Sequence, residues 1–94
     1  MKKYETVVIL DEIAGENDGA EFQKEFKELI NSNGGNVTEI ISMGKRQFSY
    51  PIKKKKAGTY LDFKYEISSD KASLPKDKYK LDNRVLRLRT YLIK

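Results

Sequence analysis

Apolar positions along this chain recur with a period of two in most stretches and with a helical period in one. Residues 3–10, KYETVVIL, are rich in β-branched and aromatic side chains and read as a central strand. Tyr4, Thr6, Val8 and Leu10 would share one of its faces, and Lys3, Glu5, Val7 and Ile9 the other. Residues 11–19 are a polar connection. In residues 20–33, Phe22, Phe26, Leu29 and Ile30 fall on one helical stripe, with Glu21, Lys24, Glu25, Lys27 and Glu28 outside it. Asp18 or Asn17 is expected to cap this helix, and Gly34 with Gly35 to end it.

The remainder alternates again. Residues 36–50 predict a long second strand with a bend or bulge at Gly44. Residues 53–58 have the composition of an exposed turn, and residues 59–67 read as a third strand. In that strand Leu61, Phe63, Tyr65 and Ile67 alternate with Tyr60, Asp62, Lys64 and Glu66, so helices should cover only one face of the sheet. A weaker helix is expected over residues 68–80, kinked or delayed by Pro75, with Leu74, Tyr79 and Leu81 facing inward. Residues 85–93 form the last strand, where Leu86, Leu88 and Leu92 alternate with Arg87, Arg89 and Tyr91. The βαββαβ order predicts an α+β fold, the ferredoxin-like split βαβ, spanning residues 1–94 as one domain. The first and third strands should be central, and the second and fourth should be the edges.

Charge sharpens this picture. The net charge is +5, but residues 1–33 carry four Lys against eight acids, while residues 34–66 carry seven Lys or Arg against three. Residues 67–94 carry eight against three, so the chain has a basic side and an acidic side. The stretch from residue 44 to 60 holds Lys45, Arg46, Lys53, Lys54, Lys55 and Lys56, no acid, and the aromatics Phe48, Tyr50 and Tyr60. A positive finger on a strand pair suits a phosphate backbone. A lysine run alone reads equally as a solvated hairpin tip.

Composition removes several chemistries. With no histidine and no cysteine there is no Ser-His-Asp set, disulfide or thiolate metal site. Asp11, Glu12 and Glu16 are read as solvent-facing loop acids, and Gly34, Gly35 and Gly44 lack the spacing of a nucleotide-binding loop. An acylphosphatase-like phosphate loop is excluded, because the place after the first strand is acidic. No segment reads as a signal peptide or reaches the length of a membrane span, so the expected compartment is the cytoplasm. No enzyme activity, cofactor, metal or small-molecule substrate is expected. Base stacking in the manner of an RNA recognition motif fits poorly, since alternation puts Phe63 in the core and leaves Tyr60 as the single platform.

Three blocks carry a family resemblance. They are the opening Met1-Lys2-Lys3-Tyr4-Glu5, the central Gly44-Lys45-Arg46-Gln47-Phe48-Ser49-Tyr50-Pro51-Ile52-Lys53 with Gly58 and Tyr60, and Leu81-Asp82-Asn83-Arg84-Val85-Leu86-Arg87. Together, in this order, they resemble the bacterial small-subunit ribosomal protein six family. The Tyr-Pro-Ile block is the most specific of the three. The resemblance implies a non-catalytic role in the ribosome: binding the central domain of small-subunit ribosomal RNA jointly with small-subunit ribosomal protein eighteen. It also implies an RNA or partner surface drawn from Lys3, Tyr4, Lys45, Arg46, Tyr50, Lys53 and Arg87. Charge alone adds Lys54 and Arg89. The chain departs from the family at Phe48-Ser49, where Leu-Ala is usual, and at Pro75. It stops at Lys94, where many members continue into a tail that reaches a neighbour.

Three readings follow. The first is a ribosomal-RNA-binding structural protein with a protein partner, which requires a basic edge hairpin. The second is a free-standing module for single-stranded RNA, which requires aromatics on the open sheet face. The third is a ligand-sensing regulatory domain that dimerises through its sheet. The chain supplies the first requirement and at most Tyr60 for the second. For one continuous basic surface, the long hairpin must curl across the sheet, because the two edge strands lie on opposite sides.

Overall fold

A computed structural model describes residues 1–93. The order is β1 (Lys2–Leu10), α1 (Ala20–Ser32), β2 (Asn36–Ile52), β3 (Lys55–Ile67), α2 (Leu74–Tyr79) and β4 (Val85–Ile93). The strands form one sheet in the order β2-β3-β1-β4, with every neighbouring pair antiparallel. Both helices cover the same face, which is the ferredoxin-like arrangement that alternation predicts.

The stripe of α1 explains why. Phe22, Phe26 and Ile30 are buried against Val8, Leu10, Leu61, Phe63, Tyr65 and Ile67, the inward row of the two central strands. Phe26 stacks on Phe63 with ring centroids 4.1 Å apart, and Tyr65 meets its edge at 5.5 Å. Leu88 packs at the margin. Thr6 lies in the same row, and the cost of burying its hydroxyl is offset by Tyr65 Oη at 2.7 Å and Thr90 Oγ1 at 3.0 Å. Helix α1 ends where the Gly35 amide donates to the Ile30 carbonyl, 2.9 Å.

Four local expectations are corrected. Neither Asp18 nor Asn17 caps α1: both adopt left-handed backbone, and Gly19 takes the cap position. The Asp18 carboxylate instead accepts a bond from Ser42 Oγ, 3.0 Å, tying the loop to β2. Pro75 does delay the second helix, which splits into a short 3-10 turn at Ser69–Lys71 and the six-residue α2. Leu81, expected to face inward, lies beyond the end of α2 and is 87% exposed. In β4 a register shift opposite Ile9 and Leu10 puts Val85 in the core position across from Leu10. Leu86 is buried as well, so two successive residues are covered where alternation predicts one; Leu92, expected inward, remains half exposed.

The hairpin is longer and its turn tighter than the composition suggests. Strand β3 begins at Lys55, so the turn is only Lys53-Lys54, not residues 53–58. Both take positive φ, 49° and 66°, as two-residue hairpins of the I′ kind require. That conformation is ordinarily given to Asn-Gly, so a Lys-Lys pair holds it with strain. Gly44, at φ 78°, sits at a register shift and supplies the expected bulge.

Candidate nucleic-acid interface

A large bulge shapes the end of the hairpin. Gln47 pairs with Ala57 and Ile52 with Lys55, so Phe48, Ser49, Tyr50 and Pro51 stand opposite Lys56 alone. The surplus chain arches out of the sheet, and Pro51, which has no amide to donate, costs no ladder bond there. The arch extends toward the far edge. Lys53 Nζ donates to the Val85 carbonyl of β4 at 3.2 Å. Tyr50, Pro51 and Ile52 share a cleft with Tyr60 of β3 and Arg87 of β4. The curl needed to join the two edges is therefore present. Gly58 makes it possible: a Cβ there would stand 2.5 Å from the Leu10 carbonyl oxygen and 3.0 Å from the Phe48 ring. Phe48 thus lies over Gly58 beside Ile9, which is only 5% exposed although it is on the face away from the helices.

The predicted site residues separate into four groups. Arg46, Tyr50, Lys53, Lys54, Arg87 and Arg89 belong to the arch and the adjoining edge of β4. Tyr50 is 82% exposed, Arg87 faces the cleft, and Arg89 lies across from Val7 on the open face. Lys45 is turned the other way. Strand alternation sends it to the helix side, opposite Thr59, where it pairs with Glu12 at 2.7 Å. Arg46, opposite Gly58, stays with the arch, and its Nε donates to the Met43 carbonyl at 3.4 Å. The adjacent basic pair is thus split between two faces. Lys3 is exposed at the opposite end of the sheet, paired with Glu66 and Ile93. Tyr4 does not belong to the surface: it is buried on the helix side, its ring stacked on Tyr65 at 6.0 Å.

Acidic groups bound the basic region. Asp62 sits mid-sheet on the open face, and burial together with the neighbouring Glu5 carboxyl pushes its pKa up to about 6. The loop acids have structural work. Asp11 Oδ1 accepts the Ala14 amide at 2.9 Å, and Glu12 holds Lys45.

One constellation was missed in the sequence. Arg84 donates from Nη1 and Nη2 to Glu25 at 2.7 and 3.0 Å, and from Nε and Nη2 to Asp82. Its guanidinium also lies 5.7 Å from the Phe22 ring centroid. Hydrogen bonds from Arg84 hold both carboxyls below their ordinary range. The Asp82-Asn83-Arg84 spacing was the available signal; its acidic partner on α1 could not be read from it. This cluster clamps the loop before β4 onto α1 and so fixes where Arg87 emerges.

These features define a class: a scaffold of the ferredoxin-like fold that presents a basic, aromatic arch. The residues 3–91 match the model of the family described as Ribosomal protein S6. The small ribosomal subunit protein bS6 of Thermoanaerobacter pseudethanolicus is 36% identical over 93 residues, 99% of this chain and 95% of that one. The bS6 protein of Syntrophobacter fumaroxidans is 32% identical over 90 residues, 96% of this chain but 61% of that longer protein. The crystal structure of 30S ribosomal protein S6 from Thermotoga maritima has the same fold, with a TM-score of 0.89 at 22% identity over 98% of this chain and 87% of that one. The chain belongs to the ribosomal protein S6 family, whose members are structural, non-enzymatic constituents of the small ribosomal subunit. Among the described residues no helix is long and apolar enough to cross a membrane.

Proposed function

We propose that this chain works within the small subunit of the cytoplasmic ribosome by binding the central domain of the ribosomal RNA, jointly with small-subunit ribosomal protein eighteen. The observation that carries this is the closure of the arch onto β4, with Lys53 reaching the Val85 carbonyl at 3.2 Å. It brings Arg46, Lys53 and Lys54 of the hairpin to the same end of the sheet as Arg87. Such a set contacts successive phosphates, and the affinity gained comes from counterion release. Lys45 contributes less than Arg46, because Glu12 already neutralises it. The one-domain reading of residues 1–94 belongs to this proposal.

The test is binding of a central-domain RNA fragment at several salt concentrations with the partner protein present. Replacing Arg46 and Lys54 with Ala should weaken binding and flatten the log–log salt dependence by roughly 0.7–0.9 per lost contact. The Lys45→Ala variant should change it less. Wild-type affinity and slope in the Arg46/Lys54 variant would show that the arch is not the RNA contact.

A further inference from the structure

We infer that the cleft between the arch and β4 is a nucleobase site, which takes one unstacked base of a single-stranded RNA segment. The inference rests on the RNA-binding reading above and adds to it a contact that phosphate chemistry does not provide. The cleft is an open surface groove of about 310 Å³, room for one planar ring system. Phe48, Tyr50 and Tyr60 line it, with Pro51 beside them and Arg87 as its only charge. No carboxylate is among its lining residues, although Glu5 and Asp62 lie farther along the same sheet.

Three details favour a base over a generic apolar contact. Tyr50 is 82% exposed, an aromatic ring left in water at the rim of the cleft. Phe48 and Tyr60 meet at 57° with centroids 6.2 Å apart, so the two rings are not stacked face to face on each other. The Arg87 guanidinium is planar and cationic, able to stack on a base or to bridge to its phosphate. Gln47, also in the lining, carries an amide that both donates to and accepts from a base edge. The hairpin lysines at the rim, Lys53 and Lys54, would guide the backbone of the same strand past the cleft.

Two probes of equal charge test this: hexauridylate and a six-unit ribose phosphate oligomer without bases. They are titrated into the full chain while the ring resonances of Phe48, Tyr50 and Tyr60 are followed by NMR. Hexauridylate should bind about five- to a hundredfold more tightly and shift those resonances. Tyr50→Ala should abolish the preference, leaving binding of the base-free oligomer unchanged, whereas Tyr50→Phe should keep it. Arg87→Lys should retain binding of the base-free oligomer and lose part of the preference. Equal binding of the two oligomers would overturn the base site and leave the phosphate-contact reading standing. The latter falls separately, on an unchanged salt slope in the central-domain assay. Ring shifts on adding the protein partner but not hexauridylate would make the cleft a protein contact, and the inference wrong.

Discussion

The two faces of the sheet are built on opposite rules. On the helix side, every inward position of β1 and β3 from Tyr4 to Leu10 and from Leu61 to Ile67 is buried, and the Thr6 and Tyr65 hydroxyls there bond to each other. At the arch, Tyr50 is exposed, two lysines hold left-handed backbone, and four residues stand against one. Burial places its residues for stability; the arch carries strain and exposure that stability does not require. Left-handed backbone at two lysines, beside an exposed aromatic ring, points to work besides folding in that segment. If so, substitutions in the two regions should separate cleanly in their effects.

The largest effect should come from Phe26. Its ring meets Phe63, Tyr65, Phe22 and Tyr79, and Phe26→Ala should cost roughly 3–5 kcal/mol in urea unfolding. An unchanged midpoint would break the account of the helix side. Arg84→Ala comes next, at about 1–2 kcal/mol, since its carboxyl partners are only partly shielded, with side-chain exposures of 37% and 20%. Glu25 and Asp82 have lowered pKa values, so this contribution is present above the ordinary carboxylate range. It is lost as pH falls through their folded-state values. The gap between wild type and Arg84→Ala should therefore narrow in acid; a constant gap from pH 7 to pH 3 would contradict the ion-pair origin.

Asp62 runs the opposite way. Its folded pKa of about 6 lies above the ordinary aspartate value of 3.8, so the native state holds its proton more tightly than the unfolded chain does. Stability is then greatest below the lower value and is lost as pH rises through the higher one. Asp62→Asn should stabilise the protein by about 1 kcal/mol at neutral pH, with the gain vanishing near pH 4. A loss of stability at neutral pH would mean the carboxylate is paired rather than crowded. The smallest effect belongs to the arch. Replacing Lys54 by Gly should raise stability by about 0.5–1 kcal/mol by relieving the left-handed turn while the Lys53 bond to Val85 stays in place. The same change should weaken RNA binding, and a fall in both would erase the contrast between the regions.

Most of the fold was legible because its signals are local. The alternation of Leu61 to Ile67 and the stripe of Phe22, Phe26 and Ile30 set strand, helix and inward face without reference to distant residues. Tyr4 shows the same local signal at work: its strand's alternation placed it in the core row, where it is found, although the family block offered it as a surface residue. The split of Lys45 from Arg46 was also implicit in strand alternation, but the pairing of Lys45 with Glu12 depends on how the loop after β1 folds back. The closure of the arch onto Arg87 needs the register between Gln47 and Ile52, a property of paired strands and not of either strand alone. The Arg84 cluster joins residues 59 positions apart, beyond the reach of any spacing rule.

The four-against-one bulge has one more consequence. In an ordinary hairpin each added or deleted residue shifts the pairing and turns every later side chain over. Here pairing stops at Gln47–Ala57 and resumes only at Ile52–Lys55. The arch is therefore a slack joint: a residue gained or lost within it is absorbed before it reaches Leu61 or Phe63. Contact chemistry at the tip is free to change in length as well as in sequence, while the core behind it keeps its register.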